Sequence, residues 1–266
     1  MAEEEVDRGR PTHYVQSLER GLAVITAFDA RNTLLTLSDV ARRTGLTRAA
    51  ARRFLLTLAD LGYVQTDGKR FALTARVLEL GYSYLSSLSL PEVAQPHLEQ
   101  LSSEVDESSS VSVLDGADIV YVGRVAVSRI MSVRIDIGTR FPAYATSMGH
   151  VLLAGLRVGE LDDYLAAVTL RALTPRTTVD PAVLRAELET VRIQGYSIVD
   201  QELEEGLRSV AAPVRDHTGA TVAAVNLATQ ASRYSVARIR SELVPPLLSA
   251  AGRIEVDLVA ARIAAQ

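Results

Sequence analysis

The stretch from Thr36 to Thr74 constrains the fold of this chain more than any other part of the sequence. Thr36 is followed three residues later by Asp39, a spacing that predicts a capping box at the start of a short helix over Ser38 to Arg43. The Gly45-Leu46 pair lies just beyond this segment, after Thr44, and favours a tight turn. A short capped helix with a glycine turn behind it is the first half of a helix-turn-helix.

The second half is an amphipathic helix that begins after Thr47. Thr47 is a suitable cap, and Gly62 suits the left-handed position just beyond a helix that runs to about Leu61. Apolar residues recur at helical spacing and predict one buried stripe: Ala51, Phe54, Leu55, Leu58 and Leu61.

Three arginines fall outside this stripe. Arg48 and Arg52 are four residues apart and share one helix face with Arg53 beside them. The planar fork of arginine matches guanine edges and phosphates, so this face suits a DNA major groove. A solvated helix face is the plainer alternative. The residues predicted to contact DNA are Ser38, Thr47, Arg48, Ala49, Arg52, Arg53, Lys69 and Arg70.

A β-hairpin is predicted directly after the second helix. Residues Tyr63 to Thr66 and Arg70 to Leu73 alternate apolar and polar side chains around Asp67-Gly68, a pair typical of two-residue turns. Lys69 beside the tip is placed to contact backbone phosphates. Cap, turn, helix and hairpin in this order predict a winged helix-turn-helix, which favours DNA binding over a merely solvated face.

The charge distribution agrees with a DNA contact confined to one end of the chain. Tyr14 to Arg76 holds ten basic and five acidic residues, a net charge of +5, whereas the whole chain carries −4 and the remainder therefore −9. Phosphates attract the basic part and repel the acidic part.

Composition excludes several classes of protein. The chain of 266 residues is long enough for two domains. It has no cysteine, which excludes disulfides, and its four histidines, His13, His97, His150 and His217, show no metal-ligand spacing, so neither a metal nor a cofactor is expected. No apolar run approaches the length of a membrane helix, and a cytoplasmic protein is predicted.

The domain boundaries follow from composition and periodicity. We expect a disordered tail over 1–13, a winged helix-turn-helix domain over 14–75 that opens with a helix from Ser17 to Phe28, a linker helix over 76–90 and a second domain over 91–266. The linker helix is apolar on more than one side, so it either packs on its own chain or contacts a second copy.

The second domain is predicted to be α+β. Strands are expected over Ser110 to Leu114, Ile119 to Val125, Ile130 to Ile135, Val210 to Val214 and Thr221 to Thr229. Helices are expected over Ser147 to Leu156, Leu161 to Val168, Pro181 to Gln194 and Ser235 to Ala264, the last bent at Pro245-Pro246. Runs of strands, then helices, then strands indicate an antiparallel α+β domain.

Three features of this domain offer chemistry. The helix start at Ser147 presents backbone N–H groups that attract anions, aided by the hydroxyls of Thr146 or Ser147, although an ordinary capped helix explains the pattern too. A carboxylate cluster, Asp200, Glu202, Glu204 and Glu205, is either a solvated loop or an acid-base site. Ser209 and Asn226 interrupt apolar strands, where buried polar groups require partners.

These segments together resemble a known family along nearly the whole chain. The winged head, SLERGLAVITAF, YATSMGHVLLA and GYSIVDQELEEGLRSVAAPV resemble the IclR family of bacterial transcriptional regulators, with TARVLELGYSYLSS and DQELEEGLRS similar to the branch that controls protocatechuate and β-ketoadipate catabolism. The resemblance implies a GAF-like antiparallel-sheet effector domain behind a linker helix. It also implies a homodimer or dimer of dimers on double-stranded operator DNA, controlled by a small organic acid, with RNA polymerase as a further partner.

The resemblance also implies an effector pocket built from several segments. Its residues are Val133, Arg134, Phe141, Ser147, Met148, His150, Val199, Leu207, Ser209, Asn226 and Ala228. A hydrophobic Val199 beside Phe141 favours an aromatic or longer acid. Arg124, Arg134 and His150 are the alternative counter-ions for its carboxylate.

Two other functions stay open on the sequence. In the first alternative, the α+β domain is an enzyme that acts on a small organic acid and uses Asp200 or Glu202 as a base. No nucleophile motif accompanies these carboxylates in the sequence. In the second alternative, the chain binds DNA without a ligand. A pocket filled by the protein's own side chains would indicate this function.

Overall fold

A computed structural model describes residues 13–29, 31–80, 90–127 and 135–264. The chain divides into two compact units, Met1–Tyr84 and Leu85–Gln266. Among the helices of the described ranges, none combines the length and the apolar character needed to cross a membrane.

The first unit is three helices and a small antiparallel sheet. Its elements are α1 (Gln16–Thr26), β1 (Leu35–Thr36), α2 (Leu37–Thr44), α3 (Arg48–Asp60), β2 (Val64–Thr66), β3 (Arg70–Leu73) and a 3-10 turn (Ala75–Val77). The strand order is β1-β3-β2. One core joins the helices to the sheet through Val24, Val40, Ala51, Leu55 and Phe71.

Local hydrogen bonds explain why these helices begin and end where they do. The Asp39 carboxylate accepts from the backbone N–H of Thr36 at 3.1 Å, and Thr36 Oγ1 accepts from the backbone of Asp39 at 3.3 Å, which completes the predicted capping box. Thr47 caps α3 by accepting from Ala50 N. Gly62 is left-handed with φ 81°, as predicted for the residue beyond α3.

The second unit surrounds a six-stranded antiparallel sheet with helices. Its elements are α4 (Leu90–Val105), β4 (Ser108–Asp115), β5 (Asp118–Val125), β6 (Arg140–Pro142), α5 (Ser147–Ala154), α6 (Val158–Ala167), α7 (Pro181–Gln194), β7 (Ser197–Asp200), β8 (Leu207–Arg215), β9 (Thr221–Gln230) and α8 (Val244–Ala264). The strand order is β6-β5-β4-β9-β8-β7. The predicted α+β class is confirmed.

The two faces of this sheet bury two separate cores. Alternate residues of a strand point to opposite faces, so Val210 packs with helices α4 and α8, whereas its neighbour Ala211 packs with α5, α6 and α7. Val225 and Ala224 divide in the same way on β9. The face toward α5 therefore also receives Asn226.

Several elements differ from the sequence predictions. Strands β6 and β7 were not predicted, because three or four residues are too few for a recognisable alternation. The final helix was expected to bend at Pro245-Pro246, but its irregularity begins earlier, in a π-helical turn over Ile239–Leu243. The predicted strand Ile130 to Ile135, except for its last residue, and most of the predicted linker helix lie outside the described residues.

Candidate functional site

Helix α3 presents three arginines to solvent. Arg48, Arg52 and Arg53 are exposed, and no carboxylate pairs with any of them within the described part of the chain. The arginines of the preceding helix differ, because Arg42 pairs with Asp39 at 2.7 Å and Arg43 with Asp29 at 2.6 Å. The positive charge of α3 is thus the part of this surface that is left for an external anion.

The remaining predicted DNA contacts flank α3 at its start and at the hairpin. Ser38 and Ala49 are exposed near the starts of α2 and α3, and Thr47 is the cap of α3. In the hairpin, Asp67 Oδ1 accepts from the backbone N–H groups of Lys69 at 2.8 Å and Arg70 at 2.7 Å.

These hairpin bonds fix the turn and leave its basic side chains outside. The backbone donors of Arg70 and Lys69 hold the pKa of Asp67 below its usual range. The Lys69 and Arg70 side chains are exposed, and Arg70 Nε lies 3.7 Å from Asp67 Oδ2. This geometry suits phosphate contacts beside the surface of α3.

In the second unit, a cavity lies between the sheet and the start of α5. Seven of the predicted effector residues line it: Ser147, Met148, Val199, Leu207, Ser209, Asn226 and Ala228. Thr146, whose hydroxyl the sequence suggested as an aid to anion binding, also lines it, and four further lining residues were not predicted: Tyr121, Ile135, Ala145 and Leu203. The structure therefore brings together residues from four strands, one helix and the loops between them.

Two buried polar atoms of this cavity lack partners. Ser147 is 1% exposed and Asn226 is 4% exposed, yet Ser147 Oγ and Asn226 Oδ1 make no hydrogen bond within the described residues. Thr146 differs, because its Oγ1 accepts from Gly149 N at 3.0 Å and so caps α5. A buried polar atom without a hydrogen-bond partner destabilises the folded protein. Both atoms therefore favour a ligand that forms hydrogen bonds with them.

Gly149 in α5 lies directly against the backbone of Ala143, in the turn that precedes this helix. A Cβ built on Gly149 would lie 2.0 Å from the carbonyl oxygen of Ala143, a distance that no side chain tolerates. Glycine is therefore required here so that the first turn of α5 can pack against this backbone. This requirement is a packing constraint on the site rather than a contact with a ligand.

The free space in the cavity is small. It offers about 20 Å³ to the centres of water-sized molecules. That space holds one or two water molecules, since each needs roughly 10 to 15 Å³. A ligand larger than water therefore requires a lining side chain or segment to move.

The segment Gln201–Gly206, here named the capping segment, covers one side of the cavity with Leu203. It is attached to the turn that precedes α7. Thr174 Oγ1 donates to Gln201 O at 2.7 Å and Thr177 Oγ1 donates to Glu202 O at 2.7 Å. These two hydroxyls hold the capping segment closed over the lining residues.

The acidic cluster does not form the single solvated loop that was expected. Asp200 belongs to β7, where Arg208 Nε and Arg176 Nη1 lie 2.5 Å and 2.7 Å from its carboxylate, and the Arg208 bond lowers its pKa. Glu202 is half-buried and accepts from Thr178 N at 3.1 Å, and burial raises its pKa. Glu205 is exposed. Two of the carboxylates thus stabilise the cavity wall.

Two predicted effector residues lie outside the cavity lining. His150 is 3% exposed, and its Nε2 lies 2.7 Å from the carbonyl oxygen of Tyr144, which requires a proton on that nitrogen. Burial lowers the pKa of His150, so the ring is neutral near pH 7 and provides no positive charge.

Phe141 supports the cavity indirectly. Its ring packs edge-on against Tyr121 with centroids 5.9 Å apart, and Tyr121 is the aromatic residue that lines the cavity. The expected neighbours Val199 and Phe141 lie on β7 and β6, at opposite edges of the sheet. That pairing was wrong, because strand order is set by long-range contacts that local sequence does not encode. Val133 and Arg134 lie outside the described residues.

Comparisons with known proteins identify relatives of both units. Residues 82–256 match the description "Bacterial transcriptional regulator IclR C-terminal" and residues 17–68 match "IclR helix-turn-helix domain". The Pca regulon regulatory protein of Pseudomonas putida is 44% identical over 238 residues, which cover 89% of this chain and 82% of that protein.

Solved structures share the fold of the chain. The protein RHA06195 from Rhodococcus sp. RHA1 is 65% identical with a TM-score of 0.84, covering 92% of this chain and 98% of that one. An IclR homolog from Microbacterium hydrocarbonoxydans, complexed with 4-hydroxybenzoate, is 27% identical with a TM-score of 0.82, covering 91% of this chain and 98% of its own.

Proposed function

Because the chain belongs to the IclR family of bacterial transcriptional regulators, we propose that a small aromatic carboxylic acid controls its binding to operator DNA. The protein is a DNA-binding regulator and not an enzyme. The observation that carries the proposed control is the cavity in which Ser147 Oγ and Asn226 Oδ1 are buried without partners. A polar ligand of matching shape would satisfy both atoms.

The proposed effector is 4-hydroxybenzoate, protocatechuate or a close relative. Support comes from the Microbacterium homolog, which is complexed with 4-hydroxybenzoate, and from the similarity to the Pca regulon regulatory protein. Within this chain, Tyr121, Met148 and Leu203 offer the apolar wall that an aromatic ring requires. The regulated genes would then serve aromatic catabolism through the β-ketoadipate pathway.

Entry of an aromatic acid requires a second state of the cavity. The available space of about 20 Å³ is too small for a benzene ring, so Leu203 or its neighbours must move. The capping segment is the part that we expect to move, because Leu203 lies outside the strands and helices and only breaking the two threonine hydrogen bonds to its backbone would release it. The effector binds the open state better and shifts the population toward it.

On DNA, we propose a homodimer or dimer of dimers. Two α3 helices would enter major grooves about 34 Å apart or a multiple of that distance, which is the spacing of half-sites on one side of the double helix. The predicted linker helix over 76–90 would carry the dimer contact and transmit the effector response. RNA polymerase is proposed as a further partner, and the cytoplasm, where bacterial DNA lies, as the site of action.

One observation favours a second candidate, a DNA-binding protein with no effector. The cavity is nearly filled by its own lining side chains, as expected for a protein that binds DNA constitutively. The unpartnered oxygens of Ser147 and Asn226 weigh against this candidate. Without a ligand, the free-energy cost of burying these two oxygens without hydrogen bonds would not be offset.

A thermal-unfolding screen of the full chain distinguishes the two candidates. The probes are 4-hydroxybenzoate, protocatechuate and β-ketoadipate. A ligand at a hundred times its dissociation constant should raise the midpoint by about 5 to 10 °C, because it binds only the folded state. The same ligand should change the affinity for operator DNA. If no acid raises the midpoint, the proposed control is wrong and the constitutive candidate is supported.

A further inference from the structure

A β-bulge interrupts the pairing of β5 with β4. The register pairs Val111 with Gly123, but the next residue, Ser112, pairs with Tyr121. Val122 is therefore an extra residue on β5, and it packs in the core toward α4 and α8. Gly123 faces the same side, since a Cβ there would lie 2.8 Å from Val111 Cγ1.

The bulge changes which face receives Arg124. Residues three apart in a regular strand point to opposite faces, whereas this extra residue returns Arg124 to the face of Tyr121, which lines the cavity. The register extends this row across the sheet, because Ser110 pairs with Arg124 on one side and with Asn226 on the other. Two strand spacings, about 10 Å, separate Arg124 from Asn226, with only the small side chain of Ser110 between.

The guanidinium of Arg124 is partly withdrawn from water without a bond that compensates it. Its Nη1 is buried and has no hydrogen-bond partner within the described residues. Burial is the main influence that lowers the pKa of Arg124, opposed by the charge of Asp136. Arginine stays charged at neutral pH even so. Arg140 on the neighbouring strand differs, because it pairs with Asp115 at 2.5 Å and Asp118 at 3.2 Å.

We infer that Arg124 is the counter-ion that binds the carboxylate of the effector, a specificity-determining residue on β5 that shares the sheet face of Tyr121 and lies beyond the residues that line the cavity. This inference rests on the proposed function, which supplies the acid. Of the three alternative counter-ions, His150 is neutral and bonded to Tyr144 O, so it has no charge to offer. Arg124 offers a fixed charge, an unused donor and a position on the row of Asn226.

The role predicts how the protein distinguishes an acid from its amide. A carboxylate accepts a charge-assisted hydrogen bond from Nη1, whereas a carboxamide of the same shape accepts a weaker hydrogen bond and brings no negative charge to Arg124. Removing the charge of residue 124 should therefore weaken binding of the acid and leave binding of the amide unchanged. A merely structural role would weaken both alike.

Titration calorimetry on the full chain tests this with protocatechuate and 3,4-dihydroxybenzamide as probes. The wild type should bind the acid about 10- to 100-fold more tightly than the amide, the range for hydrogen bonds to charged groups. Arg124→Gln should lose most of this preference through weaker binding of the acid. Arg124→Lys keeps the charge without the planar fork and should recover part of it. Arg134→Gln is the matched comparison at the other alternative cation, and it should keep the preference.

Each outcome separates the inference from the proposed function. If Arg124→Gln keeps the wild-type ratio of acid to amide binding, or if Arg134→Gln alone abolishes it, the inference is overturned and the proposed function stands. If the wild type binds none of protocatechuate, 4-hydroxybenzoate and their amides, both are overturned. Equal weakening of acid and amide in Arg124→Gln, with a lowered unfolding midpoint, would assign Arg124 a structural role and also overturn the inference.

Discussion

The arginines of the two units differ in what surrounds them. On α3 of the first unit, Arg48, Arg52 and Arg53 are exposed, and no carboxylate among the described residues forms an ion pair with them. On the surface of the second unit, arginines are usually paired with acidic side chains, as are Arg140, Arg157, Arg176, Arg185, Arg192 and Arg238. The difference leaves the positive charge of the first unit available to phosphates and cancels that of the second.

The two units also differ in where their functional atoms lie. The side chains predicted to contact DNA lie on the outside of a small core, so we expect that they can change without disturbing the fold. Ser147 and Asn226, the residues proposed to bind the effector, are part of a core and are almost fully buried. Substitutions at the cavity should therefore affect stability and binding together, whereas those on α3 should affect binding alone.

The largest effect on stability is expected from Gly149→Ala. The new methyl group would meet the backbone oxygen of Ala143 at 2.0 Å, and backbone cannot move aside as a flexible side chain can. Overpacking of this kind should destabilise the second unit by about 3 kcal/mol. Gly159→Ala is the control, because nothing lies within 4 Å of its Cβ. Unfolding followed by circular dichroism should show a loss for the first variant and none for the second.

Arg52→Ala should weaken operator binding by about 1 to 3 kcal/mol if Arg52 contacts a guanine. Arg42→Ala is the matched control from the same unit, since Arg42 is already paired with Asp39. The measurement is the dissociation constant for operator DNA at one fixed salt concentration. Equal effects of the two substitutions would remove the distinction between paired and unpaired arginines, and unchanged affinity in Arg52→Ala would contradict its contact with a base.

A smaller effect is expected at Ser209, on effector binding and to a lesser degree on stability. This residue pairs with Val199 and Ala228 across the sheet, and all three line the cavity. Ser209→Leu should fill the remaining space and weaken effector binding at least about tenfold, an increment of roughly 1.4 kcal/mol. Ser209→Ala, which adds no volume, should retain most of the binding. Operator affinity without effector should stay unchanged, and its loss in Ser209→Leu would indicate misfolding instead.

Much of the first unit was predictable because its signals are local. The capping box of Thr36 and Asp39, the turn at Gly45 and the Asp67-Gly68 hairpin each require only residues within a few positions of one another. The same holds for α7, which the structure bounds at Pro181 and Gln194 as predicted.

The cavity was only partly predictable because long-range pairing builds it. Its polar members Ser209 and Asn226 interrupt apolar strands and could be found from that pattern. Tyr121 and Leu203 could not, since one depends on strand order and the other on hydroxyl bonds to a distant turn. The bulge at Val122 leaves no mark in the alternation of β5, so the face of Arg124 is visible only in the structure.

The smallest effect is expected in the pH dependence of the cavity wall. Burial raises the pKa of Glu202 above its unfolded value of 4.5. The folded protein therefore holds this proton more tightly, and the resulting stability is complete below pH 4.5 and is lost as the pH rises through the folded pKa. Glu202→Gln cannot ionise and keeps an oxygen for Thr178 N. Its unfolding midpoint should rise relative to the wild type as the pH increases from 4 to 7.

The stability that Asp200 contributes should depend on pH in the opposite direction to that of Glu202. Asp200→Asn tests this second carboxylate of the cavity wall. The bond from Arg208 lowers the pKa of Asp200, so its contribution is present above the unfolded pKa and is lost as the pH falls. The gap between wild type and this variant should therefore be widest near neutral pH and close under acid. If the unfolding midpoints of the two variants, each relative to wild type, changed with pH in the same direction, the structure's assignment would be contradicted. That assignment is that burial dominates at Glu202 and ion pairing at Asp200.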